Sequence, residues 1–82
     1  MPYRPTHRQL EYLVALGETG HFGEAARRCN VSQPTLSVQV ALLEKQLGAT
    51  LIERMPGQVA PTPVGAEIIA AARVVLLGLD EI

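Results

Sequence analysis

The sequence predicts a mainly α fold: a winged helix-turn-helix of three helices and a two-stranded wing, followed by a long C-terminal helix. Three observations carry this expectation. Residues Val31–Leu47 (VSQPTLSVQVALLEKQL) read as a helix with a defined start and stop. A short helix rich in small side chains precedes it, with only a few residues between them. Turn chemistry then separates two short β-prone runs before a final cap-and-proline helix start.

Met1 to Pro5, with two prolines, is an extended arm. Thr6-His7-Arg8-Gln9 is a capping box, in which the Thr6 hydroxyl and the Gln9 amide satisfy each other's backbone amides, so a helix starts there. Leu10, Leu13, Val14 and Leu16 give that helix a buried stripe, and Tyr12 leans on a neighbour. Gly17 weakens its end, and Gly20 supplies the left-handed residue that terminates it. His21 to Cys29 forms the second helix, with Phe22, Ala25, Ala26 and Cys29 on one face and Arg27 and Arg28 outside. The paired alanines let another helix come close.

After a turn at Asn30 and Val31, Ser32 caps the central helix and Pro34 sits in its first turn, where no intrahelical donor is needed. Gly48 closes it. Leu36, Val40, Leu43 and Leu47 form the core stripe. The other face begins with Gln33, Thr35, Ser37 and Gln39, which are uncharged, whereas Glu44 and Lys45 lie at the far end. Uncharged donors and acceptors at a helix start suit DNA base edges, with the first amides free to meet phosphate. The same residues also suit an inert amphipathic helix, so this face alone does not decide between the two. Phe22, Ala25, Ala26, Val31, Leu36 and Val40 make the helix-turn-helix core.

Leu51 to Arg54 and Val59 to Pro61 are the two strands, with turn chemistry at Met55-Pro56-Gly57-Gln58 between them. The wing tip is poor in basic residues, with Arg54 at its base and Gln58 near its end. Thr62-Pro63 opens the last helix, expected over Val64 to Ile82 with only Glu67, Arg73, Asp80 and Glu81 charged. Val64, Ile68, Ala71, Val75, Leu79 and Ile82 approach a heptad seam, while Ile69, Ala72, Leu76 and Leu77 form a second strip. One apolar side covers the domain, and the other predicts a second copy of the helix in a dimer.

Composition narrows the function classes. The 82 residues make one small domain, with residues 1–61 as the helix-turn-helix unit and 62–82 as the dimerisation helix. One cysteine excludes an internal disulfide, and neither His7 nor His21 has metal-ligand spacing around it, so no metal or cofactor is expected. No nucleophile stands at a plausible spacing from a base, which argues against an enzyme. Nothing in MPYRPTHRQLEY resembles a signal peptide, and Glu67 and Arg73 interrupt the apolar run near 64–79, so the expectation is a cytoplasmic protein with no membrane span. The Asn30-Val31-Ser32 sequon is then accidental. Seven basic against eight acidic residues give a net charge of −1, so any phosphate contact depends on how Arg4, Arg8, Arg27, Arg28 and Arg54 are gathered. Cys29, on an apolar face, reads as packing rather than a redox site.

The run HFGEAARRCNVSQPTLSVQVALLEKQLGATLIER followed by TPVG resembles the N-terminal DNA-binding domain of LysR-type transcriptional regulators, and LEYLVAL, the HF pair, Cys29 and SQPTLS look most like the hydrogen-peroxide-sensing OxyR branch. The resemblance extends from Leu10 to Ile82. It implies a recognition helix in the major groove of a pseudo-palindromic operator on double-stranded DNA. It also implies a homodimer through the last helix and a homotetramer in the whole regulator. Gln33, Pro34, Ser37 and Val38 become the groove-facing residues, Gln33 for base hydrogen bonds and Pro34 for a thymine methyl. Ser32, Thr35, Arg54 and Thr62 become backbone contacts, with Arg28 and Gln58 beside them. Val38 stands where many relatives carry a basic residue, and Pro56, Gln58 and Ala60 replace a basic wing, which predicts a shallower salt dependence than is usual for the family. The chain is expected to stop within the linker helix, ahead of a separate regulatory domain that holds the sensing residues. Two alternatives stand beside this reading: a LysR-type regulator of another branch, answering a small-molecule inducer, and a winged-helix interaction module without DNA specificity.

Overall fold

The computed structural model describes residues Tyr3 to Ile82; Met1 and Pro2, the start of the expected arm, lie outside the described residues. The elements run α1 (His7–Thr19), α2 (Phe22–Cys29), α3 (Gln33–Leu47), β1 (Ile52–Met55), β2 (Gln58–Pro61) and α4 (Pro63–Asp80). Each long helix starts on a hydroxyl cap: Thr6 accepts from the Gln9 amide, Ser32 from Thr35 and Thr62 from Gly65. The Thr6/Gln9 capping box is complete. Gly20, Asn30 and Gly48 end the first three helices in the left-handed conformation. His21 is the N-cap residue of α2 and makes no side-chain cap bond, so the second helix begins one residue later than expected.

Leu13, Leu16, Leu36, Leu43 and Leu51 are fully buried and hold α1, α3 and the start of the hairpin together. Ala25 and Ala26 bring α2 close, with Phe22, Cys29 and Val31 packed around them. Tyr12 is buried with Arg8 over its ring, while Leu10 and Val14 are half-buried.

The hairpin is antiparallel, pairing Ile52 with Pro61 and Met55 with Gln58 across a Pro56-Gly57 turn. Leu51 was expected in the first strand but lies outside the ladder. Its amide and that of Ile52 donate to the Glu44 carboxylate at 2.7 and 3.2 Å, and its carbonyl accepts the Thr62 amide at 3.0 Å. Helix α3 thus fixes where the hairpin begins, and the Val59 amide, donating to the Gly20 carbonyl at 2.8 Å, fixes where it returns.

Gly65, Ile69 and Ala72 of α4 are buried, and the helix packs on α1. Of the second strip, Leu76 is half-buried and Leu77 is 64% exposed, so the covered face is narrower than the periodicity suggests. Ile82 does not belong to the seam: the helix ends at Asp80, Glu81 caps it, and Ile82 is fully exposed beyond it. No helix among the described residues is long and apolar enough to cross a membrane.

Candidate nucleic-acid interface

The outward side of α3 carries Gln33, Pro34, Thr35 and Val38, all exposed, with Ser37 half-buried at its edge. Val38 is 62% exposed, a large side chain in water on a helix whose opposite face is fully buried. The first turn offers fewer free amides than expected. Pro34 has none, Thr35 donates to the Ser32 hydroxyl at 3.2 Å and Leu36 to the Ser32 carbonyl at 3.1 Å, which leaves only the Gln33 amide to face outward. The Ser32 hydroxyl also donates to Thr35 Oγ1 at 2.8 Å, leaving the Thr35 proton for an external acceptor.

Gln39, expected on the same polar face, is turned away from it. Its Oε1 accepts from Gln9 Nε2 at 3.2 Å, on the flank of α3 that meets α1.

Between the start of α2, the start of α3 and the wing lies an open cleft of about 320 Å³, lined by His21, Phe22, Gln33, Arg54, Met55 and Gln58 among others. The Arg54 guanidinium lies over the Phe22 ring, 4.7 Å from its centroid, which holds the charge at the cleft while leaving its edge free. A Cβ at Gly23 would stand 3.5 Å from Gln33 Oε1 and 3.8 Å from Arg27 Nη1. Both are ordinary contact distances, so Gly23 lies beside both the Gln33 and the Arg27 side chains.

Arg28 is placed differently. It pairs with Glu18, which also accepts Arg73 Nη2 at 3.0 Å. Arg27, rather than Arg28, is the α2 arginine without an ion pair among the described residues. Its signal in the sequence is its place four residues after Gly23, on the side facing α3. Thr62 is likewise committed within the fold. Its hydroxyl donates to the Thr50 carbonyl at 2.7 Å and accepts from Gly65, and its amide is bound to Leu51. No proton remains there for a phosphate.

Charge is partitioned as well as balanced. Glu11 holds Arg8 and His7, Glu18 holds Arg28 and Arg73, and Glu44 holds backbone amides. No carboxylate lines the larger cleft beside Arg54, whereas Glu44 shares a smaller pocket with Arg54 and Ser37. The Cys29 thiol contacts the Glu11 carbonyl at 3.9 Å, and burial, reinforced by the Glu11 charge, pushes it above its ordinary value. It stays protonated at neutral pH and is a poor redox centre.

On α4, Val64, Ala71, Val75 and Leu79 form an exposed apolar line, with Val75 half exposed, whereas Ile68 is half-buried and packed on the core. Val74 and Leu77 are exposed on other sides of the same helix.

Residues 7–66 match the family described as bacterial regulatory helix-turn-helix protein, lysR family. The chain belongs to the LysR family. Among its relatives in that family, the HTH-type transcriptional regulator EstR of Acinetobacter baylyi is 49% identical over 78 residues, 95% of this chain and 26% of that protein. The hydrogen peroxide-inducible genes activator of Haemophilus influenzae is 54% identical over 69 residues, 84% of this chain and 23% of that protein. The chain thus spans about a quarter of the length of these relatives. The BenM DNA-binding domain, solved as a complex with catB site 1 DNA, superposes with a TM-score of 0.88 at 37% identity, covering 93% of this chain and 84% of that one. The LysR fold accounts for the order of elements, the hairpin and the long last helix together.

Proposed function

We propose that this chain reads double-stranded DNA by sequence, as the DNA-binding part of a LysR-type transcriptional regulator in the cytoplasm. The observation that carries the proposal is the uncharged outer start of α3, where Gln33, Pro34, Ser37 and Val38 stand beside an acid-free cleft holding Arg54. Gln33 can offer both amide donors and its carbonyl to base edges, and Pro34 and Val38 offer apolar contact to thymine methyls. Arg54, Thr35, Arg27 and Gln58 serve the backbone, and Ser32 orients Thr35. Residues 1–61 act as the reading unit, and residues 62–82 link it to a second copy, so that two recognition helices meet a pseudo-palindrome. The whole regulator assembles further, to a tetramer.

The Haemophilus relative is a peroxide-inducible genes activator. Its 54% identity supports the peroxide-responsive branch for the proposed regulator, with sensing residues elsewhere than Cys29, while EstR, 49% identical over a longer stretch, supports the alternative of a LysR-type regulator of another branch. Selection from a random duplex pool tests the reading: a two-fold symmetric consensus is expected. On the selected site Gln33→Ala then loses affinity by roughly 1–3 kcal/mol, with mixed-sequence binding nearly unchanged. Arg54→Ala weakens both alike and makes the salt slope shallower by about one. A pool that stays unselected at low salt, with the protein folded, leaves the interaction module as the better account.

A further inference from the structure

Tyr3 and Arg4 precede residue 7, where the LysR match begins, yet Tyr3 is built into the fold and holds the arm beside it. Tyr3 packs against the core, and its hydroxyl donates to Gln9 Oε1, which also accepts the Thr6 amide at 3.1 Å. Gln9 is the one buried polar side chain among the described residues, and its Nε2 donates onward to Gln39 on α3. A relay of side-chain hydrogen bonds therefore ties the arm to the flank of the recognition helix.

That flank is the one away from the wing. With Leu36, Val40 and Leu43 directed into the core, the helical repeat puts Gln33 and Ser37 on one side of the outer face and Gln39 on the other. The side of Gln33 and Ser37 borders Arg54 and the hairpin. A helix with its side chains is about 10–12 Å across and the major groove about 12 Å wide, so a helix in the groove has a phosphate strand close on each side. One strand meets the wing cleft; the other meets the α1 side, where the arm lies. Of the cations there, Arg8 and His7 face Glu11 at 3.7 and 4.0 Å, and Arg8 also lies over Tyr12. Arg4 is exposed and forms no ion pair among the described residues.

We propose that the arm at Tyr3–Pro5 is a second DNA-backbone clamp, in which Arg4 binds a phosphate of the strand opposite to the one beside Arg54. Tyr3 and Gln9 are positioning residues for it. The inference rests on the DNA-binding reading above.

The test is equilibrium binding of the full chain to a mixed-sequence duplex over a salt series. Arg4→Ala is expected to lower affinity about five- to tenfold near 0.1 M salt and to make the log–log slope shallower by about 0.9, as for one lost phosphate contact. Arg4→Lys keeps the slope. Tyr3→Phe keeps the ring but loses the hydroxyl, and it reproduces part of the Arg4→Ala loss with Arg4 present. Thermal unfolding of Arg4→Ala matches that of the unaltered chain. If the unaltered chain binds duplex and Arg4→Ala binds with the same affinity and slope, the clamp is overturned while the DNA-binding reading stands. If Tyr3→Phe binds as the unaltered chain does, the positioning role of the relay is overturned. If the unaltered chain binds no duplex at low salt, the reading itself fails and takes the clamp with it.

Discussion

The Thr62 hydroxyl has one proton, and the Thr50 carbonyl takes it. Removing that hydroxyl in Thr62→Ala should therefore cost stability of about 1 kcal/mol, the usual size of a lost N-cap, and leave the DNA salt slope where it was. Thr62→Ser should restore the stability; a slope that dropped with Thr62→Ala would return Thr62 to the backbone contacts. Cys29 gives a second residue-scale expectation. With its thiol raised by burial and by Glu11, the unfolded chain releases the proton before the folded one does. Stability should fall as pH rises from the ordinary thiol value to the raised one and be independent of this group below that window. Alkylation by iodoacetamide near neutral pH should be slower than for an unstructured peptide thiol, and a rate equal to the peptide's would contradict the protonated, partly buried thiol. Single residues were also where the sequence misled most. Arg27 and Arg28 are neighbours of one type, and only the position of Glu18, ten residues before Arg28, decides which is engaged. Gln39 and Thr62 lost their outward roles to partners on other elements, which no local pattern records.

Elements were legible where their determinants are local. The Thr6/Gln9, Ser32/Thr35 and Thr62/Gly65 caps each join residues three apart, so a short window contains both partners. The first strand was misplaced by one residue because Glu44, seven and eight positions earlier, captures the Leu51 and Ile52 amides. Junctions between elements were invisible for the same reason, and Gly65 marks the tightest of them. A Cβ there would lie 1.9 Å from the Leu51 carbonyl oxygen, with no side chain able to yield. Gly65→Ala must push α4 off the hairpin and disturb the Thr62 bonds to Thr50 and Leu51, which should cost roughly 3 kcal/mol, the upper part of the overpacking range. Gly17→Ala meets Ile69 Cδ1 at 2.6 Å, but that is the end of a flexible side chain, and alanine favours the helix. Urea midpoints of the two variants should differ clearly in that order; equal losses would mean that α4 is not held against Leu51.

At the scale of the molecule, a net charge of −1 concealed the arrangement of its charges. Glu11, Glu18 and Glu44 are engaged inside the fold, and no carboxylate lines the cleft between Gln33, Arg54 and Gln58 although the chain as a whole is acidic; Glu44 shares a smaller pocket with Ser37 and Arg54. The last helix poses the opposite problem, since its two apolar sides were readable but their limits were not. Ile68 serves the core and Ile82 falls past the helix end, leaving Val64, Ala71, Val75 and Leu79 as the surface one chain cannot cover. The proposed two-fold pairing of this line with itself would bury both copies at once and bring two α3 helices into one assembly. Because the seam is short, the dimer should be concentration-dependent in solution and strengthened on a two-fold DNA site, where the second contact becomes intramolecular. Val75→Asp places a charge in the middle of the line and should shift sedimentation to the monomer with helix content unchanged. It should also convert steep binding on the symmetric site to weak binding of single copies. Ile82→Asp adds the same charge beyond the helix and should leave the dimer intact. An unaltered chain that sediments as a monomer at every concentration and on the symmetric site, or a Val75→Asp chain that still dimerises, would remove α4 as the dimer seam.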